Sequence, residues 1–152
     1  MSYVALQSKI IDLLNSLSFN RSNDFSGIGI VFHKNLVKLP HTQLIDTDKC
    51  LKTVPIESDE IEATLSAVSK ISSPYHDGFH FIDTNNWKIS HLSQYISPPI
   101  PKDAELQFFA SGARMMSAIL ASLISGIIFV GLVSSDGSIH LFHNGVDVYT
   151  GS

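Results

Sequence analysis

The sequence predicts a single α/β domain, with a mixed and mostly antiparallel sheet flanked by helices, and three observations carry that expectation. Segments with apolar residues at helical spacing alternate with short apolar, β-branched runs along the chain. The last third ends in short strands separated by Asp136-Gly137 and Asn144-Gly145. Such pairs suit hairpin turns, because Asp and Asn bond the local backbone and Gly accepts positive φ. The length, 152 residues, suits one domain with one sizeable core.

Taken in order, Val4, Leu6, Ile10, Ile11, Leu13, Leu14 and Leu17 predict an amphipathic helix over 3–17. A polar turn at Asn23 to Gly27 leads to Ile28-Gly-Ile-Val-Phe32, a run suited to a buried strand. The stretch 36–55 is irregular and predicts loop with one short strand at Gln43 to Ile45. Ser58 is a helix cap candidate, and Ile61, Leu65, Val68 and Ile71 line one face of a helix that Ser72-Ser-Pro74 stops. After the His76-Asp77-Gly78 turn come strands at 79–83 and 87–91. Between them Thr84-Asn85-Asn86 forms the loop, where the Asn pair tolerates left-handed backbone and fits a hairpin. Pro98, Pro99 and Pro101 make 93–103 an extended connector. Ser111 is expected to cap a helix from Gly112 to about Ser125, and Gly126 to end it. Ile127 to Val133 is apolar on both faces and predicts a central strand, followed by antiparallel partners at 138–143 and 146–149.

Composition narrows the function classes. With 44% hydrophobic and only 16% charged residues, the chain is expected to present apolar surface to a partner, either a second copy of itself or a fused effector domain. A net charge of -4 argues against nucleic acid, which calls for a concentrated basic face. Cys50 is the single cysteine, so no intrachain disulfide forms and the cytoplasm is the expected location. The N-terminal residues lack the basic-then-apolar pattern of a signal peptide. The apolar stretch 119–133 is broken by Ser and Gly and is too short for a membrane span. Ending at Gly151-Ser152, just past a strand, the chain is expected to be one domain, 1–152, of a longer protein.

The chemistry-bearing candidates are few. Asp77 sits on a turn directly ahead of an apolar strand, where a carboxylate either shapes the turn or serves a ligand. Arg114 stands at a helix start, where a cation is unfavourable unless an anion or a carboxylate is near. Met115 and Met116 read as core packing. His76, His80, His91, His140 and His143 lie on turns and strands with no helical His pair or Cys partner. They are expected to be solvated strand histidines and not a zinc site. Gly27-Ile-Gly29 is too weak a signal to use, and neither a Walker-type loop nor a Gly-x-Ser-x-Gly elbow is present.

The order of these motifs resembles the diadenylate cyclase (DAC) domain. Tyr75-His76-Asp77-Gly78-Phe79 is similar to that family's Leu-His-Asp-Gly-Ala turn, Ile82 to Ile89 to its hairpin, and Ile96-Ser-Pro-Pro-Ile100 to its connector. Gly112-Ala113-Arg114-Met115-Met116 stands where the family's Arg-His-Arg helix start belongs, and Ile127 to Gly145 where its closing strands do, so the likeness spans about 26–149. The resemblance implies a DAC-like fold and a domain that condenses two ATP into cyclic di-AMP between facing copies with Mg²⁺ or Mn²⁺. It implies Asp77 near the metal and the attacking hydroxyl, and His76, Gly78, Phe79, Gly112, Ala113 and Arg114 around the nucleotide. A carboxylate can orient such a hydroxyl, and a helix N-terminus with an arginine suits phosphate.

The chain departs from the family pattern in three regions. Phe79 replaces its Ala, Met115 and Met116 replace His and Arg, and 121–126 holds no carboxylate where the family has an acidic patch. The expectation is therefore a divergent, catalytically impaired DAC-like domain that binds or senses a nucleotide. An active cyclase and a purely structural or oligomerisation module are the alternatives.

Overall fold

The computed structural model describes residues 2–45, 60–103 and 112–150. The expected caps Ser58 and Ser111, and Cys50, lie outside the described residues. In chain order the elements are α1 (Tyr3–Phe19), β1 (Ile28–His33), β2 (His41–Gln43), α2 (Ile61–Val68), β3 (Phe79–Asp83), β4 (Lys88–Ile96), α3 (Ala113–Ala121), β5 (Ile127–Val133), β6 (Ile139–His143) and β7 (Val146–Asp147). The strands form one seven-stranded sheet in the order β2-β4-β3-β1-β5-β6-β7. β1 and β3 are parallel, and every other pair is antiparallel. The expected mixed, mostly antiparallel sheet with helices on both faces is the observed one.

Period-two alternation sorts the core into two layers. On one face, Ile10, Leu14 and Leu17 of α1 and Leu65 of α2 pack on Ile28, Ile30, Phe32, Ile82, Phe129 and Leu141. On the other, Ala118, Ile119 and Ala121 of α3 pack on Val31, Phe79, Phe81, Val130, Leu132 and Phe142. Burial on both faces explains the unbroken apolar runs of β1 and β5, and each fully buried aliphatic side chain contributes about 1.5–3 kcal/mol. Gly131 lets α1 approach closely, since a Cβ there would lie 3.0 Å from Leu14 Cδ1.

Several elements depart from the sequence expectation, each for a local reason. α1 runs on to Phe19, with the Asn20 N–H donating to the Ser16 carbonyl. α2 stops at Val68 rather than near Ile71. The Ser69 hydroxyl there turns back onto the Leu65 carbonyl, while the Ser69 carbonyl accepts from the Ser26 amide at 2.8 Å and the Ser26 hydroxyl at 2.9 Å. β2 lies at His41–Gln43, two residues ahead of the expected position, and pairs with the far end of β4. That pairing carries β4 to Ile96, into the stretch expected to be connector. α3 ends at Ala121, four residues short of the expected Ser125.

In the β3–β4 loop the left-handed residue is Trp87 (φ 53), not an asparagine. Asn85 is occupied otherwise, its N–H donating to Asp83 Oδ1 and its side-chain amide to the Lys34 carbonyl, both at 2.9 Å. Trp87 stacks on Phe32 with centroids 6.0 Å apart, and Lys9 Nζ sits 4.3 Å from its ring centroid.

The expectation of solvated strand histidines fails for His80, which is 1% exposed, because helices and loops cover both faces of the sheet. His33, ending β1, is buried as well. His91, His140 and His143 are half-buried, each with its Nδ1 engaged: by the Ser90 hydroxyl, Asp147 and the Ile128 carbonyl respectively. No helix among the described residues is long and apolar enough to cross a membrane.

Candidate functional site

The parallel pair β1 and β3 start at the same end of the sheet, and antiparallel β5 finishes there. That end gathers the Asp77 turn before β3, Gly27 before β1, the Val133 carbonyl closing β5, and the start of α3. Two motifs 37 positions apart in the chain, at Asp77 and Arg114, thereby share one electrostatic environment.

Arg114 occupies the first turn of α3 and lies over Gly27. A Cβ on Gly27 would sit 3.1 Å from Arg114 Nη1 and 3.1 Å from the Val133 carbonyl oxygen, and Gly27 itself has φ +83. A side chain at that position would therefore both strain the backbone and displace the guanidinium. Burial pushes the pKa of Arg114 down, and the charge of Asp77 opposes that shift. Among the described residues Arg114 forms no contact ion pair; the two ion pairs there are His76–Asp77 and His140–Asp147. Ahead of it, Gly112 takes the N-cap position with φ 86, a conformation that favours glycine, and among the described residues no side chain caps the helix. Gly112 and Ala113 are exposed.

On the facing turn, His76 Nδ1 donates to the Ser73 carbonyl at 2.7 Å, which directs Nε2 toward Asp77 Oδ1 at 3.5 Å. The contact becomes an ion pair when His76 is protonated. The Asp77 side chain is 71% exposed and so remains open to a ligand. Gly78 has φ +80, and a Cβ there would collide with the Gln94 carbonyl at 2.6 Å, so the turn lies flush against β4.

Of the residues singled out in the sequence, His76, Asp77, Gly78, Gly112, Ala113 and Arg114 lie on the two segments facing this end. Phe79 points elsewhere. Its ring is buried in the sheet core over Gly29, its register partner on β1. Sequence reasoning set Gly27 aside as too weak a signal, although its place directly before a buried strand marked it. It took His80 for a solvated strand histidine, and it passed over Ser93, which no motif marked. His80 lies under the site, fully buried, with its pKa lowered to about 3 first by burial and then by the charge of Arg114.

Among the described residues no group of three or more His, Cys, Asp or Glu side chains is arranged to hold a metal ion. A divalent ion here would rest on Asp77 and on oxygens of its ligand. A lone protein carboxylate suits Mg²⁺ or Mn²⁺ that draws its remaining oxygen donors from elsewhere.

No family model matches the chain, and no curated protein matches it. Among solved structures it is similar to a double cysteine mutant of DacA from Staphylococcus aureus. The two are 19% identical, the match covers 93% of this chain and 85% of that one, and the TM-score is 0.56. At that identity the likeness establishes architecture: the chain is a single α/β domain with a DAC-like fold.

Proposed function

We propose that this domain is a divergent, catalytically impaired relative of the diadenylate cyclases, which binds a nucleotide between the Asp77 turn and the start of α3 and acts as a sensor. The observation that carries the proposal is Arg114, half-buried over Gly27 without a contact ion pair among the described residues. A cation drawn out of water is costly unless an anion meets it, and a guanidinium beside free helix N–H groups suits phosphate. Asp77, exposed on the opposite segment, would orient a ribose hydroxyl or a phosphate-borne Mg²⁺.

Efficient condensation of two ATP asks for more. Phosphoryl transfer rests on positioning and charge stabilisation, and a single lost donor costs roughly 10²–10³ in rate. Met115 and Met116, where the DAC pattern has His and Arg, supply neither charge nor hydrogen bonds to a phosphate. A sensor of this kind would report its ligand through a second copy of the chain or through a fused or partner effector domain.

Thermal unfolding with ATP, ADP, AMP or cyclic di-AMP at millimolar concentration, with Mg²⁺ or Mn²⁺, tests the proposal. Saturating nucleotide at a hundred times Kd should stabilise the protein by about 2.7 kcal/mol. Arg114→Ala should remove that shift while leaving the unliganded transition in place. Chromatography of the ATP incubations should show no multiple-turnover cyclic di-AMP. Sustained synthesis would restore the active-cyclase reading, and the lack of any shift with all four ligands would leave a structural module.

A further inference from the structure

We infer that Ser93 and His80 are positioning residues that hold the Asp77 turn against the sheet, by a bond to its backbone that leaves its carboxylate free. The bearing of this brace on ligand binding rests on the nucleotide-site proposal; the brace itself does not.

The local register shows why the brace exists. Along β3 the partners step from Phe79↔Gln94 to Phe81↔His91, so two steps on β3 face three on β4 and an extra residue bulges out of β4. The bulge brings Ser93 into left-handed backbone, φ 54, a conformation costly for a residue other than glycine and sustained only where the surroundings fix it. In that conformation all its polar groups are used. Its N–H donates to His80 Nδ1 at 3.0 Å, its hydroxyl donates to the Asp77 carbonyl at 2.9 Å, and its carbonyl accepts the Leu44 N–H at 3.0 Å.

Ser93 and His80 are 0% and 1% exposed, so the bond between them forms away from water, while the hydroxyl bond to the Asp77 carbonyl is part-buried. Because His80 Nδ1 accepts, the ring is the neutral Nε2–H tautomer. Glycine at position 93 would take the same backbone without strain, and the one thing it could not supply is the hydroxyl bond to Asp77. The bulge thus presents a side-chain donor to the turn that carries the exposed carboxylate.

Two substitutions separate this role from general support of the fold. Ser93→Gly deletes the hydroxyl while relieving the backbone, and should unfold within a few degrees of the wild type. Amide exchange at Gly78 and Phe79 should nonetheless accelerate about tenfold, and the Kd for ATP with Mg²⁺ should rise about tenfold, the effect of one lost bond of ordinary strength. His80→Leu, which leaves the Ser93 N–H without an acceptor, should act in the same direction. His80→Asn, whose side-chain oxygen can accept that N–H, should recover most of the loss.

Unchanged exchange at the turn in Ser93→Gly overturns the inference, as does an exchange rate that rises equally across the whole sheet. Should His80→Leu fail to fold, the Ser93→Gly and His80→Asn pair still decides the matter. If the wild type binds neither ATP nor cyclic di-AMP, the nucleotide proposal falls, and local exchange at the turn alone tests the brace.

Discussion

Between pH 7 and pH 5 the protein is expected to lose about 2 kcal/mol of stability through His80 alone. In the unfolded chain this imidazole takes a proton near its ordinary value of 6.5, whereas in the fold its pKa falls to about 3, chiefly by burial and further by the charge of Arg114. The native state therefore stays neutral at His80 while the unfolded state binds a proton. Its contribution is fully present above about pH 6.5 and is lost as pH falls toward 3, at a slope of about 1.4 kcal/mol per pH unit.

His33 and His91 act in the same direction. Both are depressed first by burial; the charge of His41 adds to the effect at each, and Asp83 offsets part of it at His33. Urea unfolding at pH 5, 6 and 7 measures the slope directly. His80→Gln should reduce it by close to one proton, and a variant as steep as the wild type would place the acid sensitivity elsewhere.

Phe79→Ala is expected to destabilise the fold by about 3–5 kcal/mol, as expected for deleting a buried ring. The ring fills space that Gly29 leaves open across the parallel β1–β3 pair. A Cβ on Gly29 would lie 2.6 Å from Phe79 Cδ2 and Cε2 and 3.3 Å from Leu132 Cδ2. Gly29→Ala alone should therefore cost about 1–3 kcal/mol by overpacking. In the double variant the methyl added at position 29 occupies part of the vacated volume, so the combined loss should fall short of the sum by about 0.5–3 kcal/mol. Denaturant unfolding of the four proteins measures this coupling, and strict additivity would mean that the two sites do not share that volume.

The same pair shows where legibility ended. β1 and β5 could be read because burial on both faces leaves a local imprint, a continuous apolar run. The glycine-containing turns at 78, 137 and 145 could be read because positive φ is a property of one residue. That Gly29 and Phe79 form a unit depends on the register of two strands 50 positions apart, and no local pattern encodes it. His80 was misread for a similar cause: its period-two position fixes a face, but whether that face is covered is decided by helices elsewhere in the chain. At the candidate site, Asp77 and Arg114 were marked by residue type and by motif order. Gly27, Ser93 and the bulge that aims Ser93 are tertiary features. The left-handed residue of the β3–β4 loop is Trp87 and not one of the asparagines that tolerate such backbone, and its packing on Phe32 and under Lys9 is a tertiary feature that propensity does not carry.

Trp87 also equips the molecule with a built-in optical probe. It is the chain's one tryptophan, half-buried, stacked on a core phenylalanine and capped by an ammonium from α1, so its emission registers whether the β3–β4 hairpin is docked against that helix. It lies beyond the far end of β3 from the Asp77 turn, about 13 Å away along the strand rise alone. Its fluorescence should accordingly track loss of the hairpin–helix contact in an unfolding titration and stay indifferent to a ligand that merely fills the opposite end. A nucleotide-induced change in tryptophan emission would then be a direct sign that binding reaches across the sheet.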